Sequence, residues 1–160
     1  MSISKRLKLI ANLVTIGNRV ADIGTDHGYV PIYLLRNNIS PYAIAADISV
    51  STLEKAKENV KRAGLNEKID CRLSDGFKAI NKDECECAII AGMGGILIDK
   101  ILRDDIEKTL SFDEIILAPQ RDVGLIHKFA EEFGCSIIFD NTILDKTKYY
   151  NIIKLKICKN

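Results

Sequence analysis

The sequence predicts an α/β fold: a mostly parallel, seven-stranded sheet with helices on both faces and an antiparallel last strand. Three observations carry that prediction. Short apolar runs alternate with segments of helical periodicity through most of the 160 residues. The first such run, Arg19–Ile23, feeds a glycine-bearing turn, Gly24-Thr25-Asp26-His27-Gly28, and a helix that opens at Tyr29. That order builds a ligand site at the edge of a parallel sheet. The last two strand-like segments lie too close for a helical crossover, so they should pair antiparallel.

Each element has its own signal. Leu7, Ile10, Ala11 and Val14 share one helical face, which predicts a helix over Ile3–Val14, capped by Ser2 or Ser4 and followed by Gly17-Asn18. After the first strand and the helix Tyr29–Asn37, Ala43–Asp47 reads as strand two. Ser51–Ala63 reads as a helix, with Ser51 and Glu54 in the capping-box pattern and Gly64 as its stop. Ile69, Cys71 and Leu73 alternate with polar residues as in an edge strand, and a short helical turn follows Asp75-Gly76-Phe77. Cys87–Ala91 is continuously apolar, as a central strand buried on both faces should be. Ile96–Leu110 reads as a helix, Glu114–Ala118 as a fifth strand, and Val123–Phe133 as a helix stopped by Gly134. Cys135–Thr142 and Tyr149–Ile157 then form a hairpin around Asp145-Lys146-Thr147.

Bulk properties narrow the class. Hydrophobic residues make up 47% and charged ones 28%, the balance of a globular domain with one core. No apolar run approaches a membrane span and the N-terminus has no signal-like region, so a cytoplasmic, membrane-free monomer is expected. The five cysteines lack framework or zinc spacing, which predicts reduced thiols and no metal. A net charge of +1 gives no overall attraction to nucleic acid. Basic groups occur at Lys5, Arg6 and Lys8, at Lys55, Lys57, Lys61 and Arg62, and at Lys146, Lys148, Lys154 and Lys156; each alone reads as a solvated face.

The glycine turn is the most informative stretch. Read against the dinucleotide fingerprint, Asp26 and Tyr29 stand where the second and third glycines belong. A carboxylate there repels a pyrophosphate and favours a cationic ligand. Asp47, 25 positions after Asp22, sits at the end of strand two, where a carboxylate accepts from both hydroxyls of a ribose. The alternative is that Asp47 only caps the following loop. Asp22 either orders the turn through backbone N–H groups or meets an ammonium group.

The order of elements, with its antiparallel ending, resembles the Rossmann-like class I S-adenosylmethionine-dependent methyltransferases. Ala21-Asp22-Ile23-Gly24-Thr25-Asp26-His27-Gly28-Tyr29-Val30-Pro31 together with Ile89-Ile90-Ala91-Gly92-Met93-Gly94-Gly95 is a narrower combination. It resembles the bacterial tRNA (adenine(22)-N1)-methyltransferase family. Ser4-Lys5-Arg6-Leu7, Ala46-Asp47-Ile48, Ser74-Asp75-Gly76, Leu117-Ala118-Pro119-Gln120 and Lys148-Tyr149-Tyr150 extend the likeness along nearly the whole chain.

The resemblance implies S-adenosyl-L-methionine as cofactor, S-adenosyl-L-homocysteine as product, and methylation of adenine N1 in tRNA. It implies cofactor contacts from Asp22, Gly24, Thr25, Gly28, Asp47, Ile48, Asp75, Gly76, Ala91, Gly92 and Met93, with Asp75 on the adenine amino group. On the substrate side, Asp26 is expected as acceptor near N1 and N6, His27 as its neighbour and Tyr29 as a stacking ring. The alternative for Asp26 and His27 is that they brace the turn, Asp26 as a helix cap. The tetrad of amino-group methyltransferases is absent after strand four, where three glycines surround Met93. Ala118-Pro119-Gln120 departs from the family's Gln-Pro-Asn, so no substrate contact is carried over there. The resemblance also implies a helical C-terminal tRNA-binding domain in the family, which is expected to lie outside this sequence, with residues 1–160 expected to form one cofactor-binding domain. Two rival readings are a non-catalytic cofactor-binding module and an NAD-type oxidoreductase, the latter opposed by Asp26 and the antiparallel ending.

Overall fold

The computed structural model describes residues 3–159. Its seven strands are β1 (Val20–Ile23), β2 (Ala43–Asp47), β3 (Ile69–Leu73), β4 (Cys87–Met93), β5 (Glu114–Pro119), β6 (Ser136–Asp145) and β7 (Lys148–Lys156). They form one sheet in the order β3-β2-β1-β4-β5-β7-β6. β1 to β5 pair in parallel, and β7 pairs antiparallel with both β5 and β6. The seven-stranded, mostly parallel expectation holds, with β3 on the edge.

Alternation along the strands sorts the core into two layers. Ala21, Ile23, Ile44, Ala88, Ile90, Ile115 and Leu117 point to one face. There they meet α4 (Gly95–Asp104) through Ile98 and Leu102, and α6 (Gly124–Phe133) through Ile126 and Phe129. Val20, Ala43, Ala45, Cys87, Ile89 and Ile116 point the other way. That face packs against α1 (Lys5–Asn12), α2 (Tyr29–Arg36) and α3 (Val50–Arg62) through Ile10, Ile32, Leu34 and Val60. Burying a core side chain of this size contributes about 1.5–3 kcal/mol, so each layer holds its helices firmly.

Four details differ from expectation. Ser49, not Ser51, caps α3 by accepting from the Thr52 N–H at 3.3 Å. The segment after Asp75 forms two overlapping turns, with no helix between β3 and β4. The long helix after β4 breaks at Asp105, whose non-helical backbone ends α4 and whose side chain caps α5 (Ile106–Thr109) through the Lys108 N–H. The hairpin strands run closer to their turn than expected, leaving only Lys146 and Thr147 between them. Ser4 is the cap of α1, bonding the Leu7 N–H at 3.2 Å, while Ser2 lies outside the described residues.

A buried polar clamp ties α1 to the sheet. Glu114 on β5 accepts from the Thr15 N–H (2.9 Å) and hydroxyl (2.6 Å), and Lys154 on β7 reaches Glu114 at 3.1 Å and the Leu13 carbonyl at 2.6 Å. Burial acts to raise the Glu114 carboxyl, but the Thr15 bonds and Lys154 outweigh it and hold it below the usual range. No helix among the described residues is long and apolar enough to cross a membrane.

Candidate active site

The chemistry-bearing side chains collect where β1, β2 and β4 end. The turn after β1 is fastened to β2 by its backbone: the Gly24 and Thr25 N–H groups both donate to the Ala46 carbonyl, at 2.9 and 2.8 Å. Asp22 orders the turn differently from expectation. It accepts from the Thr25 hydroxyl at 2.8 Å, inside the fold, rather than from turn N–H groups. Gly24 has a φ of +73°, and a Cβ there would lie 2.8 Å from Met93 Cε. Glycine therefore serves the backbone conformation, while the Met93 methyl, at the end of a flexible side chain, can shift.

Asp22 is 4% exposed. Burial, opposed in part by the Thr25 bond and reinforced by the Asp47 and Asp26 carboxylates, pushes its carboxyl up to about 7. Asp47 braces two loops at once, Oδ2 accepting from the Asp26 N–H at 3.1 Å and Oδ1 from the Ser49 N–H at 3.0 Å. Loop bracing is thus real, and each oxygen retains a lone pair for a further donor. Asp26 adopts a φ of +62° and turns its carboxylate out to solvent. It does not cap α2: the cap is Gly28, which makes no side-chain bond. His27 Nε2 lies 4.0 Å from Asp26 Oδ2, and its ring sits 5.2 Å from the Tyr29 ring.

A pocket of about 100 Å³ opens between these groups. Asp22, Gly24, Thr25, Asp26, His27, Tyr29, Ala91 and Gly92 line it, so most of the expected site residues converge. Arg6 and Leu7 of α1 also line it, a contribution that sequence reasoning missed. Asp47, Ile48 and Met93 stand outside the pocket, Ile48 exposed beside Asp47. Gly28 packs behind the turn against Ala56. Asp75 and Gly76 line a separate hollow of about 470 Å³ against α4, with Asp75 held by Lys78 at 3.0 Å.

Residues 3–153 match the sequence profile of a family described as a methyltransferase domain. The chain belongs to this family. The methyltransferase domain is also 33% identical, over 96% of its length, to the tRNA (adenine(22)-N(1))-methyltransferase of Bacillus subtilis. It spans 64% of that relative's length. Among solved structures, a Streptococcus pneumoniae protein in complex with S-adenosyl-L-methionine superposes with a TM-score of 0.94 at 32% identity, covering 99% of this chain and 75% of that one. The Mycoplasma capricolum protein TrmK in complex with S-adenosyl-homocysteine gives 0.91 at 31% identity, covering 99% and 70%.

The remaining reactive groups of the methyltransferase domain lie away from the pocket. Burial pushes the Cys85 thiol up to about 12 and Cys87 well above its usual value, which leaves both unreactive. Among the described residues, no cluster of three or more His, Cys, Asp or Glu could hold a metal ion. His127 bonds Asp140 of β6 at 2.7 Å and the Val123 carbonyl at 3.2 Å.

Proposed function

We propose that this domain transfers the methyl group of S-adenosyl-L-methionine to N1 of an adenine in tRNA, at position 22 as in the B. subtilis relative's name. One observation carries the reading. A buried carboxyl with a single hydroxyl partner, Asp22, lies under a glycine turn whose exposed Asp26 carboxylate repels a pyrophosphate and favours a cationic group. The two cofactor-bound relatives support the same choice.

The residues fit such a cofactor. Asp22 would face its ammonium end, Gly24 and the Ala91–Gly92 backbone would flank the sulfonium, and Asp47 would accept from the ribose hydroxyls. Ile48, 68% exposed beside Asp47, offers an apolar surface that an adenine would cover. Asp75, released from Lys78, would take the adenine amino group. When bound, the cofactor supplies an electrophilic methyl group. Adenine N1 carries a lone pair at neutral pH, so the domain has no proton to remove and acts mainly by alignment and desolvation. The base leaves its stack to reach the pocket. Tyr29 and His27 offer it two adjoining ring faces. Methylation leaves the base cationic, and Asp26 at the rim stabilises that developing charge.

The domain acts in the cytosol as a monomer. Residues 1–160 constitute one cofactor-binding domain. Single-turnover assays with unmodified tRNA and labelled cofactor, read by nucleoside mass spectrometry, test the reading. Labelled 1-methyladenosine is expected; none at high enzyme concentration refutes it. Asp26→Asn should keep cofactor affinity yet lose most methyl transfer, and unchanged turnover would remove Asp26 from the substrate side.

A further inference from the structure

Beside the pocket lies a second hollow, of about 350 Å³, between the start of α1 and the β6–β7 turn. Arg6, Lys146 and Lys148 bring three cations to it, against one carboxylate, Asp145. Its Oδ2 accepts the Arg6 backbone N–H at 3.1 Å, which holds α1 to the β6–β7 turn. None of the three cationic side chains has a carboxylate within salt-bridge distance among the described residues.

Arg6 joins the pocket to this hollow, since it lines both. Its guanidinium is held over the Tyr150 ring at 4.6 Å, a contact that leaves its N–H edge free to donate. Tyr149, 72% exposed, stands next in the chain. The polarity of the rim is therefore divided. Asp26 offers a negative charge on the pocket side, while Arg6, Lys146 and Lys148 offer positive charge a short step away. A polyanion carrying a base that becomes cationic has the complementary arrangement.

Resting on the tRNA reading above, we propose that the hollow formed by Arg6, Lys146, Lys148 and Tyr150 seats the ribose-phosphate backbone flanking the nucleotide whose base enters the pocket. Arg6 is the pivot: it holds a phosphate at the pocket mouth and so sets how far the base reaches toward Asp26. Tyr150 is a positioning residue that acts through Arg6.

Filter binding of an unmodified tRNA transcript across a salt series tests this, alongside calorimetry with S-adenosyl-L-homocysteine to verify that each variant still folds and binds cofactor. Lys146→Ala combined with Lys148→Ala should leave cofactor affinity intact. It should weaken tRNA binding about tenfold and reduce the slope of log affinity against log salt by about 1.5, as expected for two lost phosphate contacts. Arg6→Met should lower the slope by about 0.8 and reduce single-turnover methylation as well. Tyr150→Phe should behave as wild type, and Tyr150→Ala should reproduce the Arg6 defect. Wild-type slopes in the lysine and Arg6 variants, with methylation intact, overturn the docking surface and leave the enzyme reading standing. A wild-type chain that neither binds nor methylates tRNA overturns both.

Discussion

Asp22 gives a prediction that joins cofactor binding to proton release. In the cofactor-free domain its carboxyl is pushed up to about 7, first by burial and then by the facing Asp47 and Asp26 carboxylates, with only the Thr25 hydroxyl opposing. The ordinary value is 3.8, so ionising Asp22 in the folded state is opposed by on the order of 4 kcal/mol. A folded-state value above the unfolded one gives a stabilising contribution that is complete below pH 3.8 and lost as pH rises through about 7. The cofactor-free domain should therefore lose stability between about pH 4 and pH 7, and Asp22→Asn should flatten that decline. A cationic ligand group reverses the balance, since it favours the ionised carboxylate. Binding should then expel about 0.9 proton at pH 6 and about 0.5 at pH 7, with affinity rising close to tenfold per pH unit below 7. Calorimetry with S-adenosyl-L-homocysteine in buffers of different ionisation heat counts those protons directly. Binding heats that ignore the buffer at pH 6 would refute the argument, because Asp22 would then already be ionised or would not meet a cation.

Three further outcomes are expected. Asp47→Ala removes the acceptor for two loop N–H groups and the proposed acceptor for the ribose, so the cofactor dissociation constant should rise at least tenfold, about 1.4 kcal/mol, and an unaltered constant dismisses the ribose role. Gly95→Ala places a Cβ 2.2 Å from the Asp122 backbone oxygen, which cannot move without the loop after β5; a loss of about 2–3 kcal/mol in denaturant unfolding is expected, and a neutral variant would show that this loop yields freely. The Asp140 carboxylate holds the His127 imidazole above its usual range despite some burial. The pair's contribution, at most about 1 kcal/mol for a half-exposed contact, should be present below pH 6.5 and fade as pH rises through the elevated value; equal Asp140→Asn and wild-type melting temperatures at pH 5.5 would count against it.

Local signals were legible in the sequence, and contacts between distant segments were not. The glycine turn, Asp47 and the β4 loop converge because parallel strands deliver their C-terminal ends to one edge, which follows from element order alone. Ser49 was overlooked as the α3 cap because Ser51 and Glu54 mimic a capping box, yet Ser51 reaches only the Ser49 hydroxyl, at 3.2 Å. The break at Asp105 was hidden because apolar periodicity continues across it; the cue was an Asp-Asp pair at Asp104 and Asp105 inside an otherwise apolar-periodic segment. Arg6 could not be separated from the other basic clusters. Its place at the pocket depends on a contact with Asp145, 139 residues away, that no local pattern encodes.

That contact explains why the antiparallel ending bears on function as well as on fold. β6 and β5 are both antiparallel to β7, so β6 runs in the direction of the parallel strands. Its last residue, Asp145, therefore emerges at the same edge as Asp22, Asp47 and the β4 loop. A two-residue turn, with Lys146 at a φ of +60°, keeps the next cations at that edge before β7 returns through the sheet. The Arg6 N–H then fastens α1 to Asp145, while Thr15, Glu114 and Lys154 fasten its other end to β5 and β7. A helix held at both ends cannot swing away from the pocket, so Arg6 stays at the rim. Had the sheet ended on a parallel strand reached by a crossover, no tight turn would project lysines there, and α1 would lose the acceptor that orients it.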